Sequence, residues 1–242
     1  MQDRYAGDIG DFGKFGMLRA ICNQGLSLGV NWYLTNTGKF EESIADGKYE
    51  ISESCSSCDL DLAEKLRKVF KAKQYPGRSV KSLEEGNLLS DAKYYSKVIE
   101  LPSNHSFSRA KWHTEALDAL AGCAVVFLDP DNGKKAKSVS AQSQKSVKYV
   151  FDNELSDYIS RGHSVIFYNH RTRIAEEAYF REFDDYFKYI FPNSQWYALT
   201  FRKGTLRDYF FITQEKHQNA IESAIDEIMS TKWNTVFTRV KL

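Results

Sequence analysis

The stretch that decides the fold is AVVFLDPDNG, residues 124–133. Ala124 to Leu128 is a continuous apolar run with no polar alternation, the pattern of a strand covered on both faces and hence central to a parallel sheet. Asp129-Pro130-Asp131-Asn132-Gly133 follows at once. Pro130 and Gly133 favour a sharp turn, which would display two carboxylates and an amide where the strand ends.

Working outward, Val147, Val150, Phe151, Leu155, Tyr158 and Ile159 have helical spacing up to Gly162, and Val165 to Tyr168 reads as a second buried strand. The two strands and their helix form a β-α-β unit. Upstream, Val30 to Thr35 reads as a strand, residues 36–58 as a polar excursion, and the segment from Asp59 as a helix with Leu62, Leu66, Val69 and Phe70 on its apolar side, ended by Tyr75-Pro76-Gly77. Between residues 78 and 102 a short strand is expected around Tyr94-Tyr95 and Val98-Ile99. A helix from Phe107 closes at Gly122, a residue suited to a left-handed C-terminal cap. Downstream, a helix runs through Glu176, Phe180 and Phe183, and strands at 195–202 and 208–213 are joined by Lys203-Gly-Thr-Leu-Arg207. These elements predict one α/β domain over residues 1–242. It is a three-layer Rossmann-like arrangement with a mostly parallel central sheet and a C-terminal antiparallel hairpin.

The 42% hydrophobic and 14% aromatic content supplies an ample core. No run approaches the roughly 20 apolar residues of a membrane span, and the first residues lack the apolar core of a signal peptide, so a cytoplasmic protein with no membrane partner is expected. Cys55-Ser-Ser-Cys58 has the spacing of half a zinc site, but no second pair completes it, and reduced thiols without metal are expected. A net charge of +1 offers no global attraction to nucleic acid, so any basic surface must be local.

Ligands of open parallel sheets bind beyond the carboxyl ends of the strands. Two such ends carry chemistry: Asp129, Asp131 and Asn132 after the first buried strand, and Asn169, His170 and Arg171 after the second. If the strands are neighbours, acid/base candidates, orienting amides and a cation share a pocket. A plain turn and a packing histidine are the structural alternatives. Between them, residues 133–148 hold five lysines, Lys134, Lys135, Lys137, Lys145 and Lys148, and no acid. Residues 133–146 are expected to form a flexible basic loop, either solvated or following a nucleic-acid backbone. Arg202 and Arg207 at the hairpin, with Phe201 nearby, add cations beside an aromatic that is either a base platform or core.

Near the start, DRYAGDIGDFGKFGMLRAI (residues 3–21) places Asp8 and Asp11 on a glycine-rich bend before an amphipathic helix, with Asp11 as its expected cap. This segment is read either as a tight helix cap or as a second pocket wall, with Arg4, Tyr5 and Lys14 facing substrate.

The blocks YAGDIGDFGKFGMLR, GVNWYL and VVFLDPDNG resemble those of a little-characterised group of bacterial proteins. The chain also resembles phage-defence DNA glycosylases that excise glucosylated hydroxymethylcytosine. Uracil-DNA-glycosylase-type enzymes place an Asp-Pro motif after one strand and a His motif after a later one, as Asp129-Pro130 and Asn169-His170 stand here, although Leu128 replaces the glutamine of that motif and no His-Pro-Ser follows. That resemblance implies a cofactor-independent hydrolase of N-glycosidic bonds with DNA as partner. Catalysis would fall to Asp129, Asp131, Asn132, Asp8, Asp11 and His170, and substrate contacts to Arg4, Tyr5, Lys14, Asn169, Arg171 and Phe201. A rival resemblance is to Rossmann-like N6-adenine methyltransferases, whose Asp-Pro-Pro-Tyr follows a strand. Here Asp131-Asn132 interrupts that motif, and Asn36-Thr37-Gly38 replaces a glycine-rich cofactor loop. A non-catalytic nucleic-acid-binding module is the third class.

Overall fold

The computed structural model describes residues 1–35, 50–72, 77–100, 107–171 and 173–240. Most of the expected excursion, residues 36–49, lies outside them, as do Tyr75 and Pro76 at the expected end of the basic helix. Gly7, at φ +79°, turns the chain into helix α1 (Ile9–Asn23). Its cap is Asp8 rather than Asp11: Asp8 is extended and its carboxylate accepts from the Asp11 N–H at 3.0 Å. The turn at Gly7 moves the helix start upstream, leaving Asp11 in the first turn, where its carboxylate reaches back to the Gly7 N–H at 2.8 Å.

Strand β1 (Leu28–Asn31) is followed by α2 (Glu53–Ser56), α3 (Leu60–Lys71), α4 (Val80–Glu85), β2 (Lys93–Tyr95) and α5 (Phe107–Ala119). The central β3 (Val125–Leu128) leads through β4 (Gly133–Lys134) and β5 (Tyr149–Val150) to α6 (Asp152–Ser160), β6 (Ser164–His170) and α7 (Glu176–Ile190). The hairpin β7 (Gln195–Phe201) and β8 (Arg207–Thr213), then α8 (Glu215–Ser230) and β9 (Phe237–Arg239), complete the chain. Strand β1 is shorter than expected because Asn31 Oδ1 accepts from the Tyr33 N–H and Tyr33 turns at φ +46°.

The main sheet has the order β2-β1-β3-β6-β8-β7-β9. Strands β2, β1, β3 and β6 are parallel, β8 is antiparallel to β6, and β7 is antiparallel to β8. The hairpin is present as expected but does not end the sheet, since β9 adds beyond β7. Helices cover both faces. One core combines Phe12, Phe15, Leu66 and Ile225 with Val125, Phe127 and Ile166, and the other combines Trp112, Leu155, Tyr179 and Phe187 with Val126, Leu128 and Phe167. Successive β3 residues thus enter opposite cores, which is why that strand has no polar position.

Helix α1 approaches the sheet through a stripe of glycines three residues apart. A Cβ at Gly10 would lie 2.6 Å from the Arg207 guanidinium, one at Gly13 2.6 Å from the Phe201 ring, and one at Gly16 2.2 Å from Trp233. Gly13 and Gly16 thus let the helix sit close to its neighbours, as their place in the sequence suggests, and Gly10 does the same within the helix, whereas Gly7 alone of the segment has a positive φ. No described helix is long and apolar enough to cross a membrane.

The lysine-bearing segment has a hydrogen-bonded path. Strands β4 and β5 pair in parallel, and Arg109 donates to the carbonyls of Ser146 and Tyr149 while pairing with the buried Glu154 at 2.7 Å. The expected helix from Val147 therefore starts only at Asp152, because residues 144–150 are used in a 3₁₀ turn and β5.

Candidate functional site

The carboxyl ends of β3 and β6, the start of β8 and the N-terminal end of α1 converge on a pocket of about 240 Å³. It is formed by Gln2, Tyr5, Asp8, Asp11, Lys14, Asp129, Asp131, Asn132, Lys148, Tyr168, His170, Arg207 and Tyr209, among others. Sheet pairing explains the convergence: β3 and β6 are neighbours, and β6 pairs with β8 so that Tyr168 faces Tyr209 and His170 faces Arg207. The turn after β3 is held against β6 by the His170 N–H donating to the Asn132 carbonyl, and by Asn169 Oδ1 accepting from the Lys134 N–H at 2.8 Å. Gly133 is required there, since a Cβ would lie 2.0 Å from Asn169 Oδ1.

At the base of the pocket, the Lys14 ammonium lies 2.6 Å from Asp11 and 2.7 Å from Asp129, with all three side chains buried. Burial works to lower the lysine's pKa, but the two carboxylates outweigh it and hold Lys14 protonated. One ammonium cannot fully compensate two buried carboxylates, and burial pushes Asp129 above the ordinary aspartate range even though Lys14 opposes it.

The other two carboxylates have contrasting surroundings. Burial first, and Asp11 second, push Asp8 up, opposed by Arg207 at 3.7 Å. Burial also acts on Asp131, but the Met1 amino group at 3.0 Å, a hydrogen bond from Gln2 Nε2 and Lys148 at 3.9 Å prevail and lower it. Asp8 is thus the stronger base of the two and Asp131 the weaker.

The remaining expected site residues divide sharply. Tyr5 and Lys14 line the pocket, whereas Arg4 is beside it, donating to the Tyr5 hydroxyl at 3.0 Å. Asn169 is buried under the turn and also donates to the Tyr179 hydroxyl, which makes it a positioning residue for residues 129–134. Arg171 does not face the pocket: its guanidinium makes a two-pronged pair with the fully buried Asp208 and contacts Glu176 and Thr200. Phe201 is wholly in the core against Gly13, where it cannot stack on a base.

Of the residues expected along a nucleic-acid backbone, Lys137 and Lys145 are exposed, and Arg202 is exposed with its Nε donating to Thr238. Lys134 lies 3.2 Å from Asp152 and over the Tyr186 ring, and Lys135 donates to the Val139 carbonyl. Lys148 and Arg207 turn into the pocket instead. Sequence reasoning missed Gln2, Tyr168 and Tyr209. The alternation of β8 is the signal for Tyr209, since it stands two positions after Arg207 and so on the same face of the strand.

Among the described residues, no group of three or more potential metal-ligating side chains comes together, and all four cysteines are unpaired. No protein-family model matches the chain, and no curated protein matches it in sequence. The crystal structure of protein LPL1258 from Legionella pneumophila str. Philadelphia 1, of the family DUF519, is 10% identical over 97% of this chain and 97% of its own, with a TM-score of 0.46.

Proposed function

We propose that the protein is a nucleic-acid-directed hydrolase: a DNA glycosylase that removes a modified base, with glucosylated hydroxymethylcytosine of phage DNA as the expected substrate and phage defence as its role. The observation that carries this reading is two carboxyl groups lining one pocket with different partners: Asp8 has the Arg207 guanidinium at 3.7 Å and Asp11 beside it, whereas Asp131 has the Met1 amino group at 3.0 Å, so the first is raised and the second lowered. Hydrolysis of an N-glycosidic bond needs such a division, because one group must take a proton from water while another remains negative beside a sugar carbon gaining positive charge.

In the proposed step, a nucleotide turned out of the stack presents its sugar to the carboxylates and its base to Tyr168, Arg207 and Tyr209. Water oxygen bonds to C1′ as the C1′–N bond breaks, and that bond's electron pair leaves with the base. The water proton passes to Asp8, and the departing base takes a proton from His170 or solvent. Asp131 stabilises the charge on the sugar, while Lys14 holds Asp11 and Asp129 in place beneath the reacting groups. A volume of about 240 Å³ suits one base rather than a drug-sized ligand, so a glucosyl group would extend past His170 and Thr205 to the rim.

Lysines favour DNA as the partner: the segment leaves the pocket at Asn132, carries Lys137 and Lys145 outside it, and returns at Lys148. Against methyl transfer, Asn36-Thr37-Gly38 follows β1 in place of a glycine-rich cofactor loop. Incubation with cytosine-, hydroxymethylcytosine- and glucosylated DNA, followed by detection of free base and abasic sites, tests the proposal.

A further inference from the structure

Tyr209 is fully buried, and its hydroxyl has no hydrogen-bond partner although it lines the pocket. A buried phenol left unpaired is destabilising, so its retention at a site edge needs a reason. Its charged neighbours are Lys14, Arg207 and Asp129. Lys14 is committed to two carboxylates, and Arg207 uses one nitrogen on the carbonyls of Lys203 and Thr205. Both cations are donors only, and no acceptor of the protein, the Asp129 carboxylate included, takes the phenolic proton.

We infer that Tyr209 is a specificity-determining residue whose hydroxyl donates to a ring carbonyl of the bound base, beside the Arg207 guanidinium. This rests on the pocket being a base pocket, as proposed above. The ligand class is a heterocycle with a carbonyl acceptor at its deep edge. The same ring without that oxygen leaves the phenol unpaired and binds more weakly.

The test compares cytosine with 4-aminopyrimidine, the same ring lacking the 2-carbonyl, by ligand-observed NMR titration of the wild type and Tyr209→Phe. Wild type should prefer cytosine roughly tenfold, the worth of one hydrogen bond whose donor is otherwise unpaired. Tyr209→Phe should bring the ratio near one without lowering Tm, because the lost hydroxyl has no protein partner. An unchanged ratio, no preference in the wild type, no binding of either probe, or a large fall in Tm overturns the assignment. Base release from modified DNA that persists unaltered in Tyr209→Phe would overturn it while leaving the hydrolase reading intact. Carbonyl preference without any base release would do the reverse.

Discussion

The Lys14 ammonium, one turn into helix α1, lies 2.7 Å from the Asp129 carboxylate at the end of β3, joining two segments 115 residues apart beneath the pocket. Asp11 shares the same ammonium at 2.6 Å. The Gly-Asp segment and the Asp-Pro turn are therefore parts of one charged centre.

Removing the shared cation should be costly. Lys14→Met leaves two buried carboxylates uncompensated and is expected to destabilise the fold by about 3–5 kcal/mol in urea unfolding at neutral pH. A loss below about 1 kcal/mol would mean that the ion pair is not buried as described.

Asp8→Asn should separate activity from stability. Asparagine retains an oxygen to cap α1, so the helix start survives, but the proposed acceptor of the water proton is gone, and base release should fall about 10²- to 10⁴-fold. The raised Asp8 pKa means that the native state holds this proton more tightly than the unfolded chain. Its contribution to stability therefore declines as pH rises from the ordinary aspartate range through the raised value, and remains unfavourable above it. The variant should melt higher than wild type at neutral pH and lose that advantage in acid. Scanning calorimetry across pH checks the sign, and a lower Tm at neutral pH would contradict it.

The glycine stripe should respond unequally. Gly10→Ala meets the end of the flexible Arg207 side chain, so it should fold normally while displacing the guanidinium and weakening ligand binding. Gly13→Ala drives a methyl group against the buried Phe201 ring and should cost about 1–3 kcal/mol of stability. Equal losses of stability would show that Arg207 is as fixed as the core.

Much of this architecture was legible because β3 and β6 carry period-free apolar runs, the pattern of strands covered on both faces, although the antiparallel β8 carries such a run as well. The turn after β3 was legible for the same reason, since Pro130 and Gly133 mark where the run must stop. Side-chain partnership was less readable. Arg171 follows a strand end just as His170 does, yet the fully buried Asp208 across the β6–β8 pairing claims it. Arg207 looked like a surface cation because its antiparallel register with β6, which brings it beside Asp8, is a long-range fact. The glycine spacing in α1 was visible, but the neighbours it meets, Phe201 and Trp233, lie near the other end of the chain.

The exposed lysines provide a separate check on the partner. Neutralising Lys137 and Lys145 to glutamine should weaken duplex binding similarly across sequences and reduce the slope of log affinity against log salt by about 0.9 per lysine that contacts a phosphate. An unchanged slope in fluorescence-anisotropy titrations would remove both from the interface.

The most direct measurement is base release without added cofactor. Protein and DNA containing ordinary, hydroxymethylated or glucosylated cytosine are incubated, free base is identified by mass spectrometry, and abasic sites are scored by strand cleavage in alkali. Hydrolysis at C1′ must yield free base and an abasic site in equal amounts, from the modified substrate far more than from ordinary cytosine, and Asp8→Asn must suppress both together. If every substrate remains intact while the folded wild-type protein binds the DNA, Asp8 and Asp131 do not form a hydrolytic pair.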